Sequence, residues 1–175
     1  MSSPPCLLVR HDPTHPQAAI DEVRRIMAQI GEPGAMVRPT NVPGTLKVVP
    51  EGSVHEAQRA IRTLTTAHPD VFQRTTRWTV VDQWVPSDLK AIKRAVAPLT
   101  RQIGASDSWR VQVRPCGSAL HKQNVIDAVA PLVHNSPVDL NNPAKEIRID
   151  ILGDETGVGF LDRDEAVHIH HPRRP

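Results

Sequence analysis

The chain has 175 residues, of which 39% are hydrophobic and 23% charged, and its formal net charge is +2. This composition is typical of a globular protein with one large domain or two small ones. No apolar run approaches the roughly 20 residues needed to cross a bilayer, and the N-terminus lacks the basic segment that opens a signal peptide. These features disfavour membrane and secreted classes, and we expect a cytoplasmic protein.

The first half predicts a strand, a helix, two strands, a helix and a further strand. Apolar runs and alternation mark the strands, and apolar residues at helical spacing mark the helices. Ser53 and Glu56 have the spacing of a capping box. This order is the ferredoxin-like βαββαβ arrangement, an antiparallel sheet with helices on one face, which we assign to residues 1–82. The expected strands are 6–11, 35–40, 45–50 and 77–85, and the expected helices are 16–31 and 53–68.

The second half, residues 83–168, predicts a domain with a mixed sheet and flanking helices, followed by a flexible tail, 169–175. Its first helix begins after Ser87, a suitable N-cap, and Pro98 should bend or shorten it. The next strand alternates strictly, so one set of side chains should face the core and the other should face outward. The core set is Trp109, Val111 and Val113, and the outward set is Arg110, Gln112 and Arg114. A helix over 122–135 and strands over 146–152 and 157–161 follow.

Three glycines near the end of the chain, Gly153, Gly157 and Gly159, superficially resemble a phosphate-binding loop. A dinucleotide fingerprint needs a strand, a glycine loop and then a helix whose N-terminus meets the pyrophosphate. Here a second extended segment follows the glycines, so no helix is available. The cluster is therefore interpreted as a hairpin, in which Gly153 supplies the turn and the other two permit close backbone approach.

Residues that could carry catalysis or bind metal form no recognisable constellation. Cys116 and Ser118 lie near His121 in the sequence, but nothing resembles a nucleophile elbow. With Cys6, a single disulfide is possible by count, although two separate thiols are the expectation. We therefore expect no catalytic site, no metal and no cofactor. The tail histidines lack a carboxylate or cysteine at ligand spacing and are interpreted as surface residues; they are His168, His170 and His171.

The distribution of charge is more informative than its sum. Residues 59–122 contain 11 lysines and arginines against four acids, a formal charge of +7, whereas the rest of the chain carries −5. Such asymmetry indicates a polyanionic partner for the middle of the chain, although solvated helix faces explain it equally well on charge alone. Arginines, an ammonium and a helix N-terminus are the groups that hold phosphate oxygens. The candidate RNA-binding residues are Arg74, Arg77, Lys90, Lys93, Arg94, Arg101, Arg110, Arg114, His121 and Lys122.

The second half resembles a THUMP domain, an RNA-binding module of tRNA-modifying proteins. The resemblance covers roughly 77–165 and rests on WVPSDLKAIKRAV, WRVQVRPCGSALHKQNVIDAV and above all VDLNNPAKEIRIDILGDETGVGFL. A ferredoxin-like half is the usual companion of this domain. The sequence ends soon after the predicted hairpin, so we expect none of the catalytic domains that most THUMP proteins carry. The resemblance then implies the stand-alone adaptor family, which binds tRNA and presents it to a separate RNA cytidine acetyltransferase that forms N4-acetylcytidine.

Aromatic stacking should contribute little to such binding. The chain has no tyrosine, and its tryptophans are Trp78, Trp84 and Trp109, of which Trp109 is in register with core valines. Recognition should therefore rest on phosphates and on the shape of the RNA. Three alternatives stay open from the sequence: a small-molecule-binding regulatory module of ferredoxin-like type, an RNA-binding subunit of another tRNA-modifying complex, and an enzyme with unrecognised chemistry.

Overall fold

The computed structural model describes residues 3–117, 120–167, 169 and 171. The chain divides into two compact units. The N-terminal unit contains residues 6–80 and the described residues after Arg163, and the C-terminal unit contains residues 81–163 and the described residues before Cys6. Within the described residues, none of the helices has both the length and the apolar composition needed to cross a membrane.

The N-terminal unit has the predicted order of elements, which is confirmed. Its sheet has the strand order β2-β3-β1-β4, and β3 pairs antiparallel with both β1 and β2. The helix α1 contacts β2, and α2 contacts β1. The bounds are β1 Cys6–His11, α1 Pro16–Gln29, β2 Met36–Pro39, β3 Thr45–Val49, α2 Val54–Ala67 and β4 Thr75–Val81.

Local sequence signals explain where these helices start and which face they bury. Ser53 caps α2 as predicted, because its hydroxyl accepts the backbone N–H of Glu56. The buried side chains of both helices recur at helical spacing, as expected for an amphipathic helix on a sheet. They are Ala19, Glu22, Val23, Ile26 and Met27 on α1 and Ala57, Gln58, Ile61 and Leu64 on α2.

Two polar residues within this buried set fix the connections of the N-terminal unit. The carboxylate of Glu22 accepts the backbone N–H groups of Gln73, Arg74 and Thr75 at 2.6, 2.9 and 2.7 Å, which holds the start of β4. The amide of Gln58 donates to the carbonyls of Trp78 and Glu165, both at 3.0 Å. The hydrogen bonds of Glu22 and of the Gln58 amide nitrogen offset part of the desolvation cost of burying these side chains. The Gln58 amide oxygen has no hydrogen-bond partner among the described residues.

The single strand expected over 77–85 is wrong. The chain forms β4 and then β5, Gln83–Pro86, which belong to different sheets. Asp82 separates them: its backbone N–H donates to the Val158 carbonyl at 2.9 Å, and its carboxylate accepts the Phe160 N–H at 2.8 Å. The predicted strand 77–85 is interrupted because both the backbone and the side chain of Asp82 bond to a strand of the second sheet.

The C-terminal unit has a mixed four-stranded sheet with the order β5-β8-β7-β6. The pair β6–β7 is parallel, and the pairs β7–β8 and β5–β8 are antiparallel. One face packs against two helices, and its core includes Trp109, Val113, Ile147 and Ile149, with Val111 partly buried against it. The inward set predicted for β6 therefore lies on the core face. The bounds are β5 Gln83–Pro86, α3 Leu89–Val96, β6 Trp109–Cys116, α4 Lys122–Val129, β7 Lys145–Leu152 and β8 Glu155–Asp162.

Both helices of this unit are shorter than the sequence pattern predicts. The cap of α3 is Asp88, whose carboxylate accepts the Ala91 N–H at 2.7 Å, whereas Ser87 bonds to Thr156 instead. The expectation of a Ser87 cap is therefore wrong by one residue. The chain tightens into 3-10 turns over Ala97–Gln102 and Ala130–Leu132, each of which contains a proline near its start. Proline lacks the N–H that would continue an α-helix, as expected for Pro98.

The glycine-rich stretch forms a hairpin, which confirms its sequence interpretation. Gly153 at the turn has a φ of +62°, a conformation that favours glycine, and β7 pairs with β8 along eight residue pairs. A Cβ on Gly157 would lie 2.9 Å from a methyl group of Val81 and 3.3 Å from the Trp84 ring. The expected close approach at Gly157 is therefore real. Cys6, which is buried, and Cys116, which is half-buried, form no disulfide among the described residues.

Candidate nucleic-acid interface

The helix α3 separates its apolar and cationic residues onto different faces. Ile92, Ala95 and Val96 are buried, and the first and last of these have no measurable exposure. The intervening cations face solvent, because a helix of 3.6 residues per turn places them away from the buried stripe. The exposed cations are Lys90, Lys93 and Arg94.

Three more predicted residues lie on the turn after α3 and at the start of α4. Arg101 is exposed on the 3-10 turn, and His121 and Lys122 are exposed at the N-cap and the first position of α4. The two helices contact each other and pack on the same core. The structure therefore places six predicted residues on one helical layer, which we call the helical cation face: Lys90, Lys93, Arg94, Arg101, His121 and Lys122.

The helical cation face is not neutralised from within the described part of the chain. No ion pair or side-chain hydrogen bond involving these six residues is found among the described residues. The acids on the same helices have other partners: Asp88 caps α3, and Asp127 accepts a hydrogen bond from Gln123 at 2.8 Å. Exposed cations without acidic partners are available to phosphate oxygens.

Arg110, by contrast, is held within the protein. One guanidinium nitrogen donates to the Leu140 carbonyl at 2.7 Å, and another donates to a carboxylate oxygen of Glu146 at 3.0 Å. The Arg110 side chain is 20% exposed, and that of Glu146 is 9% exposed. Because its guanidinium is hydrogen-bonded to a buried carboxylate and to a backbone carbonyl, Arg110 stabilises the fold and is less available to a ligand.

The ion pair of Arg110 is one end of a charged ladder on β6 and β7. The strands place Arg110 beside Glu146, Gln112 beside Arg148, and Arg114 beside Asp150. Arg148 donates to Glu146 at 3.2 Å and to Gln112 at 2.8 Å, and lies 3.8 Å from the Asp150 carboxylate. On β8 the positions next to Arg148 and Asp150 are Gly159 and Gly157, which have no side chains. We call these six residues of β6 and β7 the ionic ladder.

The outward set predicted for β6 is part of the ionic ladder. Arg110, Gln112 and Arg114 do lie on the face opposite the helices, as alternation predicts, but all three are half-buried. Their neighbours on β7 are buried: as whole residues, Glu146, Arg148 and Asp150 are 7%, 4% and 4% exposed. Alternation identifies the face on which a side chain lies, but it does not report whether that face is covered.

The VDLNNP turn supports one end of the ladder. The carboxylate of Asp139 accepts the backbone N–H groups of Asn142 and Asn141, at 3.0 and 2.9 Å. These two hydrogen bonds, with a further contribution from the charges of Arg163 and Arg110, lower the pKa of Asp139 below its ordinary value of 3.8. The turn thereby positions the Leu140 carbonyl that binds Arg110.

The remaining predicted residues lie elsewhere. Arg74 is exposed before β4 and Arg77 is half-buried on β4, both in the N-terminal unit. The ten candidates therefore do not form one surface within one unit. His168 and His170 lie outside the described residues, as does most of the tail expected to be flexible, and a ring nitrogen of His171 lies 2.9 Å from the Thr75 carbonyl.

The sequence interpretation missed a groove on the N-terminal unit. Its volume is about 590 Å³, and it lies along one side of α2. Arg59 and Arg62 contribute to the positive charge of residues 59–122, and their spacing with Thr63 and Thr66 is the sequence signal that places all four on one helix face. The lining residues are Arg59, Arg62, Thr63, Thr66, Ala67 and Asp164.

No protein-family model and no curated protein sequence matches this chain. Solved structures do match: PH1313 from Pyrococcus horikoshii Ot3 has a TM-score of 0.61 and 15% identity over 93% of this chain and 55% of that one. TrmN from Thermus thermophilus has a TM-score of 0.59 and 17% identity over 89% and 45%. A 4-thiouridine synthetase, solved as a complex with RNA and bound ATP, has a TM-score of 0.51 and 12% identity over 91% and 41%.

The chain thus spans about half the length of the structures it matches. These neighbours are THUMP-domain proteins. At such low identity the similarity concerns the fold, and it agrees with the mixed α/β architecture of two sheets and four α-helices in the described residues. The chain is folded like THUMP-domain proteins.

Proposed function

We propose that this protein binds tRNA through the helical cation face. The observation that carries the proposal is the set of exposed, unneutralised cations on α3, the following turn and α4. A THUMP-like fold supports it, since one neighbour with this fold was solved with RNA. Arg110 and Arg114 are left out of the proposed contact surface, because both belong to the ionic ladder.

We further propose that the protein is a non-catalytic adaptor that presents tRNA to a separate modification enzyme. The resemblance to the stand-alone THUMP adaptors favours an RNA cytidine acetyltransferase as that enzyme and N4-acetylcytidine as the product. The N-terminal unit would orient the RNA as a ferredoxin-like domain, an interpretation supported by its strand order β2-β3-β1-β4. A cytoplasmic location accompanies this role.

The binding proposal is tested by titrating labelled tRNA with the full chain at several salt concentrations. Binding through phosphates should weaken linearly in log affinity against log salt, by about 0.7–0.9 of a unit for each contact. The variant Lys93→Glu/Arg94→Glu should bind at least about tenfold more weakly, since each charged hydrogen bond contributes about 1.5–3 kcal/mol. The matched control Arg24→Glu/Arg25→Glu changes the same charge on α1 and should retain affinity. Equal affinities for both variants would contradict the proposal.

The adaptor role needs a separate measurement. Purified chain should leave tRNA nucleosides unmodified by mass spectrometry, and adding it to an RNA cytidine acetyltransferase should raise the yield of N4-acetylcytidine. Modification of tRNA by the chain alone would overturn the adaptor role and establish an enzyme. Thermal stabilisation by a metabolite, together with no response to tRNA, would instead favour the small-molecule module.

A further inference from the structure

The groove on α2 has an unusual set of hydrogen-bonding groups. Arg59, Thr63 and Thr66 recur at helical spacing, and Arg62 lies on the same side. Neither guanidinium has a side-chain hydrogen bond or an ion pair among the described residues. The groove therefore offers two sets of unused donors whose fork geometry matches phosphate oxygens.

The other polar groups of the groove are acceptors. The hydroxyl of Thr63 already donates to the Arg59 carbonyl at 3.1 Å, and that of Thr66 donates to the Arg62 carbonyl at 3.4 Å. Their oxygens are left with lone pairs. Asp164, exposed on the rim, adds a carboxylate. A ligand that fits must carry both an anion for the arginines and hydroxyl donors for the threonines and the aspartate.

A ribose-phosphate backbone has this combination, with the phosphate as the anion and the 2′-hydroxyl as the donor. A volume of about 590 Å³ is within the range of small-ligand clefts, which span about 300–1,000 Å³. We propose that the α2 groove is a second RNA contact, binding one phosphate and the adjacent ribose. This inference rests on the proposed function and extends it to the N-terminal unit.

The first test neutralises the donors in the full chain with Arg59→Gln/Arg62→Gln. Affinity for labelled tRNA should fall about tenfold or more, and the slope of log affinity against log salt should become shallower by about one, as expected for the loss of one phosphate contact. The control Arg24→Gln/Arg25→Gln removes the same charge from α1 and should leave both quantities near the wild-type values. A purely structural role would lower the melting temperature without a change in this slope.

The second test addresses the ribose. Wild-type protein should bind an RNA hairpin more tightly than a DNA hairpin of the same sequence, and Asp164→Ala should reduce that preference. An unchanged preference would overturn the ribose part of the assignment. Binding of inorganic phosphate that Arg59→Gln/Arg62→Gln abolishes, with tRNA affinity unchanged by the same substitutions, would indicate a small-anion site and overturn the RNA contact.

The groove contact and tRNA binding by the helical cation face can be disproved separately. If wild-type protein binds tRNA, Lys93→Glu/Arg94→Glu weakens it, and Arg59→Gln/Arg62→Gln behaves like its α1 control, the groove inference is wrong and the proposed function stands. If an acidic peptide protects the groove arginines from chemical modification and tRNA does not, the groove is a protein-docking site and the inference is wrong. If wild-type protein binds no tRNA, both proposals are wrong.

Discussion

The ionic ladder and the helical cation face contain the same residue types in opposite situations. On β6 and β7, three arginines lie among two carboxylates and a glutamine, half-buried or buried, and Arg110 and Arg148 are paired with Glu146. On α3 and α4, the cations are exposed, and none is paired with an acid among the described residues. A cation that is neutralised internally holds the fold, and one that is left exposed is available to a polyanion.

The comparison also explains why removing a charge should have different consequences in the two regions. Replacing both members of a buried ion pair by apolar residues often costs no stability. Removing only one member is costly, because it leaves an uncompensated buried charge. An exposed lysine or arginine contributes little to folding. Substitutions in the ladder should therefore act on stability, and substitutions on the helical cation face should act on binding.

The largest effect is expected for Glu146→Ala, which leaves Arg148 buried without its hydrogen-bonded carboxylate. The free energy of unfolding should fall by about 3–5 kcal/mol, measured by urea denaturation followed by circular dichroism. Asp127→Ala, an exposed acid on α4, is the control and should cost little. A loss below about 1 kcal/mol for Glu146→Ala, typical of surface ion pairs, would mean that the ladder does not hold the sheet.

Arg110→Ala should lower the free energy of unfolding by about 1–3 kcal/mol, because it removes a charged hydrogen bond to Glu146 and one to the Leu140 carbonyl. At a temperature where the variant is folded, its affinity for tRNA should stay close to that of the wild-type chain. A large loss of tRNA affinity without a loss of stability would show that Arg110 contributes to RNA binding.

The converse is expected for Lys93→Glu/Arg94→Glu. Surface substitutions away from special features change stability by about 0.5 kcal/mol or less, so the melting temperature should hardly move while tRNA affinity falls. Differential scanning calorimetry and the binding titration on one preparation measure both. A clearly lower melting temperature of the variant would show that Lys93 and Arg94 stabilise the fold.

The smallest effect concerns acid. The carboxylate of Asp139 has a lowered pKa, so its contribution to stability is complete above the unfolded-state pKa and is lost as pH falls through the lower, folded-state pKa. Asp139→Asn keeps an acceptor oxygen but removes the charge. As pH is lowered from about 5, the free energy of unfolding of the Asp139→Asn variant should fall less than that of the wild-type chain. Urea unfolding at a series of pH values measures both. Parallel curves would show that the turn does not depend on ionised Asp139.

Sequence patterns predicted the elements well where one signal dominated. The order of the N-terminal unit, the Ser53 cap, the Gly153 hairpin and the buried Trp109 follow from periodicity and turn chemistry. The split at Asp82 did not follow, because strand runs are marked by hydrophobicity, whereas the break depends on long-range bonds to Val158 and Phe160.

The candidate site was predictable only in part, for a physical reason. Exposure on α3 is a local property of helical periodicity, so Lys90, Lys93 and Arg94 could be recognised from the sequence. Pairing between Arg110 and Glu146 depends on which strands become neighbours, and that is a property of the topology. The α2 groove could not be predicted for the same reason, since Asp164, which lines it, is about 100 residues from α2 in the sequence.

The most direct test of the central claim is ultraviolet crosslinking of tRNA to the full chain, with crosslinked peptides identified by mass spectrometry. If tRNA binds the helical cation face, crosslinks are expected on peptides covering residues 89–101 and 121–123 and should be lost in the Lys93→Glu/Arg94→Glu variant. Crosslinks confined to β6 and β7, or unchanged in that variant, would contradict this claim.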